Sequence, residues 1–341
     1  MMFRLSNKSS LPAMALSGLA FSAGLATATS FESSSMEASA LTFIESLEPA
    51  QREKCGFPFD HEERLAWTYL PGDRRGIWIG DLAPGQRVHL TGLLQSVLSS
   101  AGYLKTEGIL VLESVLAELQ PNAGRDPGRY AFTFFGKPGD GRWGWSLEGH
   151  HLSLNFTGGP SEEIRGTPFF LGVAPATVLG GPHAGLRPLG AEVARARELL
   201  ETLDEAEREI ARLATARPRD VVLGPSRETP LAALGLPVSK MSTAAREALF
   251  LLVDEFTGNL HPGLAKEEMA RIQALPLEDL FFCWTGKPGE GPFYFRVAGP
   301  RFGMEYACVG NDPNHAHAVW RNLDRDFGAD ILRNHLAEGH D

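Results

Sequence analysis

The sequence predicts an α+β fold of two pseudo-repeats, each a helical hairpin followed by an antiparallel β-meander, joined by a long helix. Three observations predict it. First, Phe132-Thr-Phe-Phe-Gly136-Lys-Pro-Gly-Asp-Gly141 returns as Phe282-Cys-Trp-Thr-Gly286-Lys-Pro-Gly-Glu-Gly291, with Gly136 and Gly286 standing 150 residues apart. Second, aromatic strand-like runs flank both copies of this turn. Third, apolar residues at helical spacing precede each copy. Self-similarity at a fixed period marks repeated structural units.

From the N-terminus, Met1 to Ala28 reads as a secretory signal peptide. Arg4 and Lys8 give a positive start, Leu11 to Leu25 is an interrupted apolar run, and Ala26-Thr-Ala28 is a small-residue cleavage site. The run is too short for a bilayer span of roughly 20 apolar residues, so cleavage and a periplasmic or secreted protein are expected, with no membrane association afterwards. Residues 29–55 are Ser/Glu/Ala-rich and are expected to be a partly ordered lead-in. Residues 56–341 then form one compact domain, with repeat 1 at about 82–180 and repeat 2 at about 237–336.

Within the repeats, Leu90, Leu93, Leu94, Val97 and Leu98 keep helical spacing, as do Leu249, Leu252, Val253 and Phe256. The Gly-Lys-Pro-Gly turns follow from proline's fixed φ and the tolerance of glycine for positive φ. Second strands are expected around Trp143-Gly-Trp145 and Phe293-Tyr-Phe295, third strands at His151–Phe156 and Arg301–Tyr306, and fourth strands at Arg165–Phe170 and His315–Trp320. Between the copies, a charged helix is expected over roughly Ala191–Leu213, with Pro218 beyond its end. A last helix is expected over Ala329–Leu336, carrying His335.

The net charge of −10, moving to about −12 without Arg4 and Lys8, argues against nucleic acid and anionic lipid as partners. A small-molecule substrate is expected instead. Three cysteines, Cys55, Cys283 and Cys308, make no disulfide framework; a Cys283–Cys308 bridge is open but not favoured.

Ten histidines occur, and four of them fall in two short runs, Glu148-Gly-His150-His151 and His315-Ala-His317. Clustered imidazoles and carboxylates suit a metal site or general acid/base chemistry. Strand alternation puts His315 and His317 on one side, about 7 Å apart. It also separates Glu305 from Phe302, Met304 and Tyr306, so that a histidine pair on a neighbouring strand can meet that carboxylate. His151, Glu305, His315 and His317 are therefore the expected ligands of a divalent metal, with zinc, copper and iron all compatible. Glu148 or His150 would be the general acid/base, and Arg321 would orient an anionic group. Asn155, Arg301 and Asp326 would contact substrate. For Arg321 a structural bridge to Asp324 or Asp326 competes, and for any single histidine a buried, hydrogen-bonded imidazole does.

No Gly-x-Ser-x-Gly elbow, His-Glu-x-x-His helix, Walker loop or dinucleotide glycine motif occurs, so no organic cofactor is indicated. Taken together, Trp145-Ser-Leu-Glu148-Gly-His150-His151-Leu-Ser-Leu-Asn155, Thr167-Pro-Phe-Phe-Leu-Gly172-Val-Ala-Pro175, and His315-Ala-His317-Ala-Val-Trp320-Arg321 with Asp326-Phe-Gly328 carry a resemblance. They resemble a family of secreted bacterial proteins called domain of unknown function 3500. The resemblance spans about Arg64 to His335 and implies the extent of the domain, without implying a reaction. The expected function is an exported metal-dependent enzyme, a hydrolase in preference to a copper or iron oxidoreductase. A non-catalytic module binding a small ligand or carbohydrate is the alternative.

Overall fold

The computed structural model describes residues 33–159, 163–226 and 231–330. The expected signal peptide and the His335 helix lie outside them. The described residues hold eight α-helices and a mixed, mostly antiparallel twelve-stranded sheet. The helices are α1 (Ser33–Ser46), α2 (Pro49–Cys55), α3 (Pro84–Val97), α4 (Ser100–Leu119), α5 (Gly190–Thr202), α6 (Glu205–Ala211), α7 (Thr243–Thr257) and α8 (Pro262–Gln273). The strands are β1 (Gly56–Phe57), β2 (Ile77–Trp78), β3 (Ala131–Gly136), β4 (Trp143–Gly149), β5 (Leu152–Gly158), β6 (Ile164–Arg165), β7 (Phe169–Val173), β8 (Leu236–Pro237), β9 (Phe281–Gly286), β10 (Phe293–Ala298), β11 (Phe302–Cys308) and β12 (Ala316–Asn322). No described helix is long and apolar enough to cross a membrane.

Across the sheet the order is β1-β3-β4-β5-β7-β12-β11-β10-β9-β8, with β2 against β3 and β6 against β5. Its centre is the antiparallel pair β7–β12, in register through His317 opposite Gly172 and Val319 opposite Phe170. This pairing brings the two histidine runs, more than 160 residues apart in sequence, to one end of the sheet.

Period-two alternation sorts the strand side chains onto two buried faces. Leu152, Leu154, Leu171, Ala318, Met304 and Tyr306 join the helices in the main core. Phe170, Val319, Ala307 and Tyr294 face the other way and pack against Trp67, Tyr69, Val221, Leu223 and Phe327 from irregular segments. Phe302, Met304 and Tyr306 do lie opposite Glu305 as expected, but Glu305 is not on an open polar face. Loops cover it, and it is 0% exposed.

Several elements differ from expectation for local reasons. Residues 33–55 are two helices rather than a loosely ordered lead-in, because Met36, Ala40, Phe43 and Leu47 recur at helical spacing and are buried. The long charged helix breaks into α5 and α6 at Asp204. Asp204 accepts from Glu207 N while Glu207 reaches back to Asp204 N, a reciprocal cap that starts a new helix. The fourth strand of the first half is β7, not Arg165–Phe170. Pro168 has no N–H to give to a ladder, and Arg165 pairs with Asp330. All three cysteines are free and buried; Cys283 and Cys308 belong to opposite faces of the sheet.

Candidate metal centre

Gly149 pairs with Leu152, which leaves His150-His151 as a two-residue turn between β4 and β5. His151 sits at φ 65, the left-handed region that side chains other than glycine rarely adopt. Such strain persists where surrounding contacts hold it, and it concentrates at functional positions. Here His151 N donates to Tyr69 O at 3.0 Å, and His151 O accepts from Gly172 N at 2.6 Å. The imidazole lies over Gly172, where a Cβ would come within 2.9 Å of His151 Cδ2. Glycine therefore leaves the gap through which His151 and His317 approach each other across β7.

The third imidazole arrives from the turn before β12. His315 stands one residue outside the strand, so it is free of strict alternation, and its Nε2 lies 3.2 Å from Nε2 of His317. Nε2 of His151 lies 2.9 Å from Nε2 of His315. Ring nitrogens of all three fall within 4.8 Å of one another. Three nitrogens bound tetrahedrally at 2.0–2.1 Å are spaced by about 3.3 Å. These three histidines can hold a metal ion.

One carboxylate orients a ring of the trio from behind, and a second orients the ring stacked on the trio. Asp220 Oδ1 is 2.6 Å from Nδ1 of His317, which leaves Nε2 of that ring directed to the trio. Asp220 also accepts from Val221 N at 2.7 Å and from Tyr69 OH at 3.3 Å. Burial works against ionisation of Asp220, but the His317 hydrogen bond and charge bring its carboxyl below the ordinary range. Glu113 Oε2 is 2.6 Å from Nδ1 of His150, whose ring stacks on His151 with centroids 3.7 Å apart. Arg125 Nη1 completes that group, 3.3 Å from His150 Nε2. Burial, followed by the neighbouring histidines, pushes His151 well below its usual value and His315 down to about 4. At neutral pH both rings therefore carry lone pairs, the form a metal ligand requires.

The remaining residues singled out from sequence go elsewhere. Glu305 is not among the convergent donors: its Oε2 accepts from Val222 N and Leu223 N at 2.7 and 2.8 Å, and Tyr294 OH donates to Oε1. It pins the 220–224 segment to the sheet. Arg321 is buried and engaged by Asp326 at 2.6 Å and the Gly224 carbonyl at 2.6 Å, so it has no free face for a substrate anion. Asp326 is the other half of that bridge and also accepts from Asn322 N. Asn155 donates to Ser153 Oγ and Pro168 O, both buried. Arg301 pairs with Asp324 on the surface. Glu148 accepts from Ser153 Oγ at 2.8 Å, and burial raises its carboxyl to about 7.

Asp220, Glu113, Tyr69 and Arg125 were not legible beforehand. Asp220 lies 97 residues from His317 and Glu113 lies 37 from His150, in runs with no motif of their own. A reading of Gly172 as the bare spot between two histidines was within reach only once β5, β7 and β12 were known to be neighbours.

Neither a curated protein nor a solved structure matches the chain. Residues 29–329 match the family described as "Protein of unknown function (DUF3500)", and the chain belongs to that family.

Proposed function

We propose that this protein is an exported metal-dependent enzyme, with hydrolysis preferred to redox chemistry, built on His151, His315 and His317. The observation that carries the reading is the approach of three imidazoles to within ligand distance of one another, one of them held in place by a carboxylate. Three histidines leave a coordination position open for water or substrate, and a bound Lewis-acid metal would lower the pKa of a water held there. Asp220 fixes the tautomer and angle of His317. His150, backed by Glu113, is the polar group placed to hold or pass a proton next to the trio, and Arg125 beside it supplies a positive charge for an anionic substrate group. Arg125 takes the role expected of Arg321, and Glu305 leaves the ligand set.

Copper or iron oxidation uses the same ligands and is the second reading. A passive binding pocket is weaker, since it has no need to hold three imidazoles this close. Metal analysis of untagged wild-type protein and of His317→Ala and His315→Ala tests the proposal. One equivalent of metal is expected in the wild type and its loss in both variants. Substoichiometric metal that is unchanged by either substitution would remove the metal reading.

Export rests on the Met1–Ala28 signal, and intact mass of the protein recovered outside the cytoplasm tests it. The two-repeat reading is supported by the order strand, short helical turn, two helices and four strands, which occurs from β2 to β7, allowing for the short β6, and again from β8 to β12, allowing for a further short helical turn at Leu277–Asp279. Backbone superposition of 77–173 on 236–322 in an experimental structure tests that reading.

A further inference from the structure

A cavity of about 250 Å³ lies on the helix side of the sheet, between the start of α5 and the ends of β10 and β11. It is on the face opposite the imidazoles of His151 and His317: Tyr306 and Cys308 border it, and both belong to the main core. Phe293, Leu189 and Val193 give it apolar walls.

Its polar lining is one-sided. Arg187 borders the cavity, and its guanidinium makes no ion pair or hydrogen bond among the described residues. Tyr306 is 3% exposed, and its hydroxyl has no hydrogen-bond partner among the described residues. With the phenol ring buried, that hydroxyl is the polar group Tyr306 offers to a molecule in the cavity. Burial pushes that phenol up, Cys308 and the Glu192 carboxylate add to the rise, and Arg187, which lines the same cavity, opposes it. The first turn of α5 opens on the same space at Gly190, and its N-cap Leu189 supplies no side-chain acceptor. The helix dipole there favours negative charge, although Gly190 N already donates to Arg187 O and the first turn carries the Glu192 carboxylate. No acidic side chain lines the cavity, in a chain of net charge −10.

We propose that this cavity is a second ligand site, taking a small monocarboxylic acid with an aromatic or short aliphatic body. The carboxylate meets Arg187 and the Tyr306 hydroxyl, and the body lies against Phe293, Leu189 and Val193. A single guanidinium balances a single negative charge and matches the fork of a carboxylate. A phosphate dianion would leave charge uncompensated. The volume suits a ligand smaller than the drug-sized molecules that fill pockets of about 300 Å³ and above. This site is independent of the metal reading.

Isothermal titration of the full-length protein with benzoate, hexanoate and the neutral isostere benzamide tests it. Benzoate or hexanoate is expected to bind at least about ten-fold more tightly than benzamide, from the charge-assisted contact. Arg187→Gln, at an exposed position where folding is not at stake, is expected to bring the acids down to the benzamide level. Tyr306→Phe should weaken them by about two- to ten-fold through loss of one hydrogen bond. His317→Ala should leave them unchanged. Equal affinity for benzoate and benzamide, full binding by Arg187→Gln, loss of binding in His317→Ala, or no heat with either acid overturns the proposal.

Discussion

His317 and Asp220, 97 residues apart, are joined by a 2.6 Å contact between Nδ1 and Oδ1, and this contact decides which nitrogen His317 offers to the centre. Outer carboxylates of this kind typically contribute 10- to 100-fold in metal affinity. Asp220→Asn is expected to weaken metal binding by about that factor while leaving the fold intact, as judged by competition with a chromophoric chelator. An affinity within two-fold of wild type would mean that His317 is positioned by packing alone, through Tyr69 and Phe170 at ring-centroid distances of 5.0 and 5.1 Å.

Gly172 is expected to tolerate no side chain. A Cβ would lie 2.9 Å from His151 Cδ2 and 3.0 Å from its Cβ and Cγ, and both backbone groups of His151 are bonded in place. Overpacking at such a point costs about 1–3 kcal/mol. Gly172→Ala should therefore lower thermal stability and also spoil the His151–His317 geometry, cutting metal stoichiometry. A stable variant with full metal content would show that the turn can move aside.

Glu148 makes stability depend on pH in a stated direction. Its folded carboxyl titrates at about 7 against an ordinary 4.5, chiefly through burial. Between these values the unfolded chain is ionised while the folded one keeps its proton, so raising the pH favours unfolding. The loss runs from about pH 4.5 to about 7 and then levels off, and amounts to roughly 3 kcal/mol at most. Urea unfolding of Glu148→Gln at pH 5, 6, 7 and 8 should show a flatter profile than wild type. Parallel profiles would assign the slope to other groups.

Glu305 separates architecture from chemistry. Removing it orphans Val222 N, Leu223 N and the buried Tyr294 hydroxyl. Glu305→Ala should cost about 2–4 kcal/mol, since each stranded donor carries about 1–3 kcal/mol and relaxation recovers part of the sum. Metal bound per folded molecule should stay near wild type at saturating metal. Loss of metal from a fully folded Glu305→Ala protein would return this carboxylate to the ligand set.

Much of this molecule was determined by local sequence. Leu90, Leu93, Leu94 and Val97 mark a helix, the Gly-Lys-Pro-Gly turns mark hairpins, and alternation puts Met304 and Glu305 on opposite faces, because these patterns act over a few residues. The two histidine runs were visible for the same reason. Which groups meet was decided by tertiary structure. Antiparallel pairing of β7 with β12 carries His317 to His151 across Gly172, and the covering loops deliver Asp220 to His317 while handing Glu305 to backbone N–H groups. A carboxylate's role follows from the donors within about 3 Å of it, and those donors come from segments that only the packed sheet brings together.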